Sequence, residues 1–114
     1  MPHFVIDCSE NLLSTHSIET INTHVHKAAN STGLFGESNI QVRVNSFKDS
    51  FMGGVKTDTI HVFARILEGR TKEQKLDLSK AVITALAELY PDVENIGIDV
   101  RDLEKGVGFT KKKL

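Results

Sequence analysis

The order strand, helix, strand occurs twice along this chain, and the doubling narrows its fold more than any other feature. In the first half, Pro2, Phe4, Ile6 and Cys8 alternate with His3, Val5 and Asp7. That is the period of a strand over 2–8, and Ser9-Glu10-Asn11 closes it with turn chemistry. Ile18, Ile21, Val25 and Ala28/Ala29 then recur at helical spacing, with Ser17 where a cap belongs, Glu19 in the first turn and Gly33 as a stop. The spacing predicts a helix over 17–32. Ile40, Val42 and Val44 alternate with Gln41, Arg43 and Asn45, which predicts a strand over 40–47 with Gln41 and Arg43 on the face opposite the valines.

The second half repeats the order. Ile60, Val62, Ala64 and Ile66 alternate with His61, Phe63, Arg65 and Leu67. Both sets are largely apolar, as in a central strand covered on two sides. Thr71 and Gln74 have capping-box spacing, Leu78, Val82, Ala85, Leu86 and Leu89 form a stripe, and Pro91 ends it, which predicts a helix over 72–90. Ile96, Ile98 and Val100 supply a fourth strand. Between the halves, Lys48 to Thr57 is polar around Gly53-Gly54 and predicts a turn or hairpin-like excursion.

A strand–helix–strand unit crosses over right-handedly into a parallel neighbour. Two such units predict an α+β two-layer fold, a four-stranded sheet with both helices on one face, in a single domain spanning 1–114. The other sheet face is left bare, with Phe63 and Leu67 on it. A bare apolar face marks an interface, so an oligomer is expected, and a ring is one form it can take.

Composition removes several classes of function. The net charge of the 114 residues is -1, which gives no reason to expect nucleic acid or a membrane surface as partner. No apolar run reaches the roughly 18 residues of a membrane span, and the opening lacks the basic-then-apolar pattern of a secretory signal. Cys8 is the one cysteine, so no disulfide forms within a chain and a cytoplasmic location is expected. Cys8 itself reads as a small core residue. His24 and His26, two apart on a helix, point to different sides and read as solvated, so no metal is expected. Lys111-Lys112-Lys113 reads as a solvated tail.

Pro2 is the residue with the most chemical consequence. Initiator methionine is trimmed when the next side chain is small, and trimming would leave Pro2 nitrogen as a free secondary amine held in place by the strand behind it. In a pocket such an amine is a candidate base; otherwise the end simply frays.

With these elements in place, the opening Pro2-His3-Phe4-Val5-Ile6-Asp7-Cys8-Ser9 resembles the P-H-F-[IV]-[IV]-[ED]-C-S start of the 5-carboxymethyl-2-hydroxymuconate isomerase family, within the tautomerase superfamily. Thr32-Gly33-Leu34-Phe35, Ile40-x-x-Arg43-Val44, Gly69-Arg70 and Phe109 follow in the family's order. The resemblance covers nearly the whole chain and implies a homotrimer with a site at each subunit boundary. It implies no metal and no organic cofactor. It also implies a 1,3-allylic keto-enol isomerisation of a dienol carrying several carboxylates, in a bacterial aromatic-degradation route, with Pro2 moving the proton. Arg43 and Arg70 would grip carboxylates, and Phe109 would wall the pocket from a neighbouring subunit. The chain departs from the pattern at Gln41, where the family has arginine. An amide hydrogen-bonds but brings no charge, so a smaller or less charged enol comes into view. Gln41 also motivates a second reading, a non-catalytic trimeric binding module in which Met1 is retained and Pro2 is merely structural.

Overall fold

The computed structural model describes residues 2–114. Met1, and the expectations about its removal or retention, lie outside the described residues. The chain forms β1 (His3–Ser9), α1 (Ile18–Ser31), β2 (Gln41–Phe47), β3 (Phe51–Met52), β4 (Val55–Lys56), β5 (Thr59–Leu67), α2 (Lys72–Leu89) and β6 (Asn95–Leu103). Short 3-10 turns at Glu10–Ser14, Glu37–Asn39 and Lys111–Lys113 join or follow them.

Local chemistry accounts for the boundaries. Ser17 Oγ accepts the Thr20 amide at 3.1 Å and starts α1. At α2, Thr71 Oγ1 accepts the Gln74 amide at 3.1 Å while Gln74 Oε1 accepts the Thr71 amide at 2.9 Å, so two orphan donors are satisfied reciprocally. Gly53 and Gly54, at φ 58° and 79°, turn the β3–β4 hairpin in the two-residue geometry that L side chains resist.

The main sheet runs β2-β1-β5-β6. β1 pairs parallel with β2 and β5 parallel with β6, while the two halves meet antiparallel between β1 and β5. Both helices pack on one face. Phe4, Ile6 and Cys8 of β1 and Ile60, Val62, Ala64 and Ile66 of β5 are buried there against Ile21, Val25 and Ala29 of α1 and Leu78, Val82 and Leu86 of α2. Each large apolar side chain so buried contributes roughly 1.5–3 kcal/mol. The alternate residues face away from the helices, and among them Phe63 and Leu67 remain 39% and 37% exposed.

His24 and His26 are more engaged than solvated side chains would be. His24 Nδ1 lies 2.9 Å from the Thr20 carbonyl and His26 Nε2 3.0 Å from Glu37. They do point to different partners, as their spacing requires.

Candidate active site

Because β1 and β2 run parallel and β5 antiparallel to them, one end of the sheet collects the start of β1, the start of β2 and the end of β5. The loop leaving α1 arrives at the same end. Pro2 is buried there, and its carbonyl accepts the Gln41 amide at 3.0 Å, which carries the β1–β2 ladder one step past His3. Beneath it, Phe4 meets Phe35 edge-on with ring centroids 6.3 Å apart. The Arg70 guanidinium lies over the Phe35 ring at 5.0 Å. Arg70 also donates to the Leu34 carbonyl at 2.8 Å and the Leu67 carbonyl at 3.2 Å. Five N–H donors leave this fork with capacity beyond those two bonds. Gly69 precedes it at φ 117°, a conformation that turns the chain out of β5 and that a side chain would strain.

The segments Thr32-Gly33-Leu34-Phe35 and Gly69-Arg70 are 34 or more positions apart in the chain and meet in space through Arg70, Leu34 and Phe35. An apolar floor, a held cation and a buried proline thus share one end of the sheet.

Gln41 and Arg43 lie on the other side. Gln41 pairs with His3, and Arg43 with Val5, so both present side chains to the open face. Across β1, His3 pairs with Arg65 and Val5 with Phe63. His3, Val5, Arg43, Phe63 and Arg65 line a cavity of about 180 Å³. The His3 imidazole is held below its ordinary 6.5 by burial first, then by the charges of Arg43 and Arg65. Its Nε2 is shielded from solvent and has no partner among the described residues. Phe109 lies in the tail and is 67% exposed, outside the core of its own chain.

His3 and Arg65 are the residues that pattern reading passed over. Alternation assigns them to the open face, but only the register shows that they stand opposite one another and beside Arg43.

A far cavity of about 420 Å³ opens at the opposite end of the sheet, where Asp58, Tyr90, Asp92 and Glu94 are among its lining residues.

Two parallel β-α-β halves joined antiparallel into one mixed sheet, with both helices on one face, define the tautomerase-superfamily fold. Solved structures share it. The chain is similar to Pt0534 inactivated by 2-oxo-3-pentynoate, with a TM-score of 0.85 at 17% identity over 96% of this chain and 92% of that one. It is similar to N1, a member of the cis-3-chloroacrylic acid dehalogenase family, with a TM-score of 0.83 at 17% identity over 98% and 82% of the two chains. It is also similar to an asymmetric trimer of wild-type fused 4-OT, with a TM-score of 0.81 at 14% identity over 96% and 92%. No match is found among proteins of curated function. The family model for 5-carboxymethyl-2-hydroxymuconate isomerase matches residues 2–95, and the chain belongs to that family. Family and fold together make it an isomerase of the tautomerase type.

Proposed function

We propose that the protein is a cofactor-independent tautomerase acting on a 2-hydroxymuconate-type carboxylate, with the Pro2 amine as general base. The observation that carries this is the position of Pro2, the first residue of the family match, buried at the sheet end that also holds Arg70. A base must be unprotonated at working pH. An α-amino group has a pKa of about 7.7–8.0, and a proline amine is intrinsically more basic. Apolar neighbours such as Phe4 and Phe35 disfavour the ammonium, and a nearby guanidinium disfavours it further.

In the reaction the amine takes the enol hydroxyl proton. The O–H electron pair becomes the C=O bond, the double bonds shift along the conjugated chain, and the far carbon receives a proton from the prolinium. One group performs both transfers on one face of the substrate. Arg70 at the Pro2 end, and Arg43 presented from the open face toward the proposed subunit boundary, grip carboxylates with their planar forks and oppose the charge that grows on the dienolate oxygen. Gln41 supplies an amide where the family pattern has a cation, which favours the less charged members of the substrate class. The chain works as a cytoplasmic homotrimer in aromatic-compound catabolism, and Phe109 of a neighbouring subunit closes the pocket. The trimeric fused 4-OT relative supports that assembly.

The test is an intact-mass spectrum of natively produced protein after brief exposure, at neutral pH, to an amine-alkylating acetylenic keto acid. The expected result is loss of Met1 and a single adduct that maps to Pro2, together with accelerated ketonisation of a 2-hydroxydienoate. Met1 retained with no adduct overturns the assignment in favour of a non-catalytic binding module.

A further inference from the structure

The loop that joins α1 to β2 carries Leu34 and Phe35 to the Pro2 end of the sheet, and two side chains from elsewhere in the fold fasten it. Arg70 holds it from one side, donating to the Leu34 carbonyl at 2.8 Å and covering the Phe35 ring. From the other side His26, in the body of α1, places Nε2 3.0 Å from Glu37 Oε2. Glu37 opens the 3-10 turn Glu37–Asn39, which closes on itself: the Asn39 amide bonds to the Gly36 carbonyl at 3.0 Å and the Ile40 amide to the Glu37 carbonyl at 3.2 Å. Among the described residues, the His26–Glu37 contact is the one hydrogen bond that ties 36–40 to the rest of the chain. Phe35, edge-on to Phe4 beneath Pro2, lies between the two fasteners. Both partners of the contact belong to one chain and stand on the helix side of the sheet, at a groove of about 360 Å³ walled by Ile40 and Val42. Covering the open face therefore leaves the contact intact.

We infer that His26 and Glu37 form a proton-sensitive clasp that seats the loop at 32–40 against the Pro2 end, with His26 as a positioning residue that touches neither substrate nor base. A neutral imidazole with its hydrogen on Nε2 donates one hydrogen bond to the carboxylate. A solvent proton taken up on Nδ1 turns the same contact into an ion pair, and hydrogen bonds between ionised partners are the stronger kind. The clasp therefore tightens as pH falls through the range in which imidazoles titrate. The charged groups facing His26 are Glu37 from the turn and Lys27 from its own helix, while β2 presents only Ile40 and Val42. Lys27 opposes the imidazolium charge, whereas Glu37 contacts it directly at 3.0 Å. The two side chains are 32% and 65% exposed, so solvent screens the pair and its effect is a modest multiple. The clasp itself is independent of the reaction; its effect on Pro2 rests on the chemistry proposed above.

Two variants separate charge from shape. His26→Gln keeps a donor near the place of Nε2 without the charge, and Glu37→Gln keeps the outline of the carboxylate without its charge. Amide hydrogen exchange, followed by NMR on the intact protein and expressed as protection factors, reads the clasp at Asn39 and Ile40. At about pH 6 each variant should lose about twofold to fivefold of the protection there, and for His26→Gln the loss should shrink by about pH 7.5. The double variant should lose no more than either single one. The rate of Pro2 alkylation by the acetylenic keto acid, taken as the ratio of variant to wild type at each pH so that the titration of Pro2 itself divides out, should follow the same course. Protection unchanged in either variant at the lower pH, a His26→Gln loss that is equal at both, or lost protection with an unchanged alkylation ratio would each overturn the clasp as a positioning device. If Pro2 of the wild type does not react, the proposed function falls alone, and protection at Asn39 and Ile40 still decides the clasp.

Discussion

At the scale of single residues, Arg70 is the side chain with most at stake. It stacks on Phe35, ties the loops around Leu34 and Leu67 together, and keeps donors free. Replacing it with alanine removes a cation–π contact worth about 0.5–1 kcal/mol and two bonds to carbonyls. We expect Arg70→Ala to lose about 1–2 kcal/mol of stability in urea and at least about tenfold in kcat/KM for a carboxylate enol. Lysine should restore little, since a point charge cannot serve the ring and both carbonyls at once. His3 gives a pH expectation. Its folded pKa is depressed below 6.5, by burial and then by Arg43 and Arg65. The unfolded chain therefore binds that proton more tightly, so the His3 contribution to stability is complete above the ordinary value and is lost as pH falls through the lower folded one. Urea midpoints between about pH 7.5 and about pH 5 should fall in the wild type. The fall should be shallower in His3→Gln, and an unchanged slope would refute the assignment.

At the scale of elements, caps and register divide what was legible from what was not. The strand at 2–8, helices at 17–32 and 72–90, and strands at 40–47 and 60–67 stand within a residue or two of the observed elements, because each carries its own period and its own stop. The capping box is a local pattern of four residues and was readable as such. Thr71→Ala should lower stability by about 1 kcal/mol, measured by chemical denaturation, through the lost N-cap. Tyr90 was not readable. Its hydroxyl donates to the Leu12 carbonyl at 2.9 Å across 78 positions of sequence, and no local pattern announces that bond. Tyr90→Phe should cost about 1 kcal/mol, the net worth of one hydrogen bond, because the Leu12 carbonyl keeps the Thr15 and His16 amides at 3.1 and 3.3 Å. The site divides in the same way. Pro2 and the Gly69-Arg70 segment are visible as residues and motifs, whereas the meeting of His3, Arg43 and Arg65 depends on the parallel pairing of β1 with β2 and the antiparallel pairing of β1 with β5. Alternation gives the face a side chain takes; it does not give its cross-strand neighbour.

At the scale of the whole molecule, one sheet face is covered by helices and the other holds Phe63, Leu67 and Leu103, each more than a third exposed in the single chain. The proposed homotrimer would cover this face, and sedimentation at micromolar concentration should then give about three times the 12.6 kDa of the chain. Leu67→Asp, which sets a charge on that face without touching the helix side, should shift the mass toward the monomer. A wild-type protein that sediments as a monomer would remove both the trimer and the shared pocket.

The antiparallel seam between β1 and β5 has a consequence for how often such a molecule can act. Because the halves run in opposite directions, the position in the second half that matches Pro2 falls at the far end of the sheet, at Asp58, just ahead of β5. The chain passes straight through that point from Thr57, so its nitrogen is a peptide amide with no basic lone pair. The cavity there is edged with Asp58, Asp92 and Glu94, which repel anions, while Arg70 stands at the Pro2 end. On the proposed chemistry, duplication of the architecture does not duplicate the site: only the Pro2 end can offer a free amine, and a ring of three chains would carry three such poles instead of six.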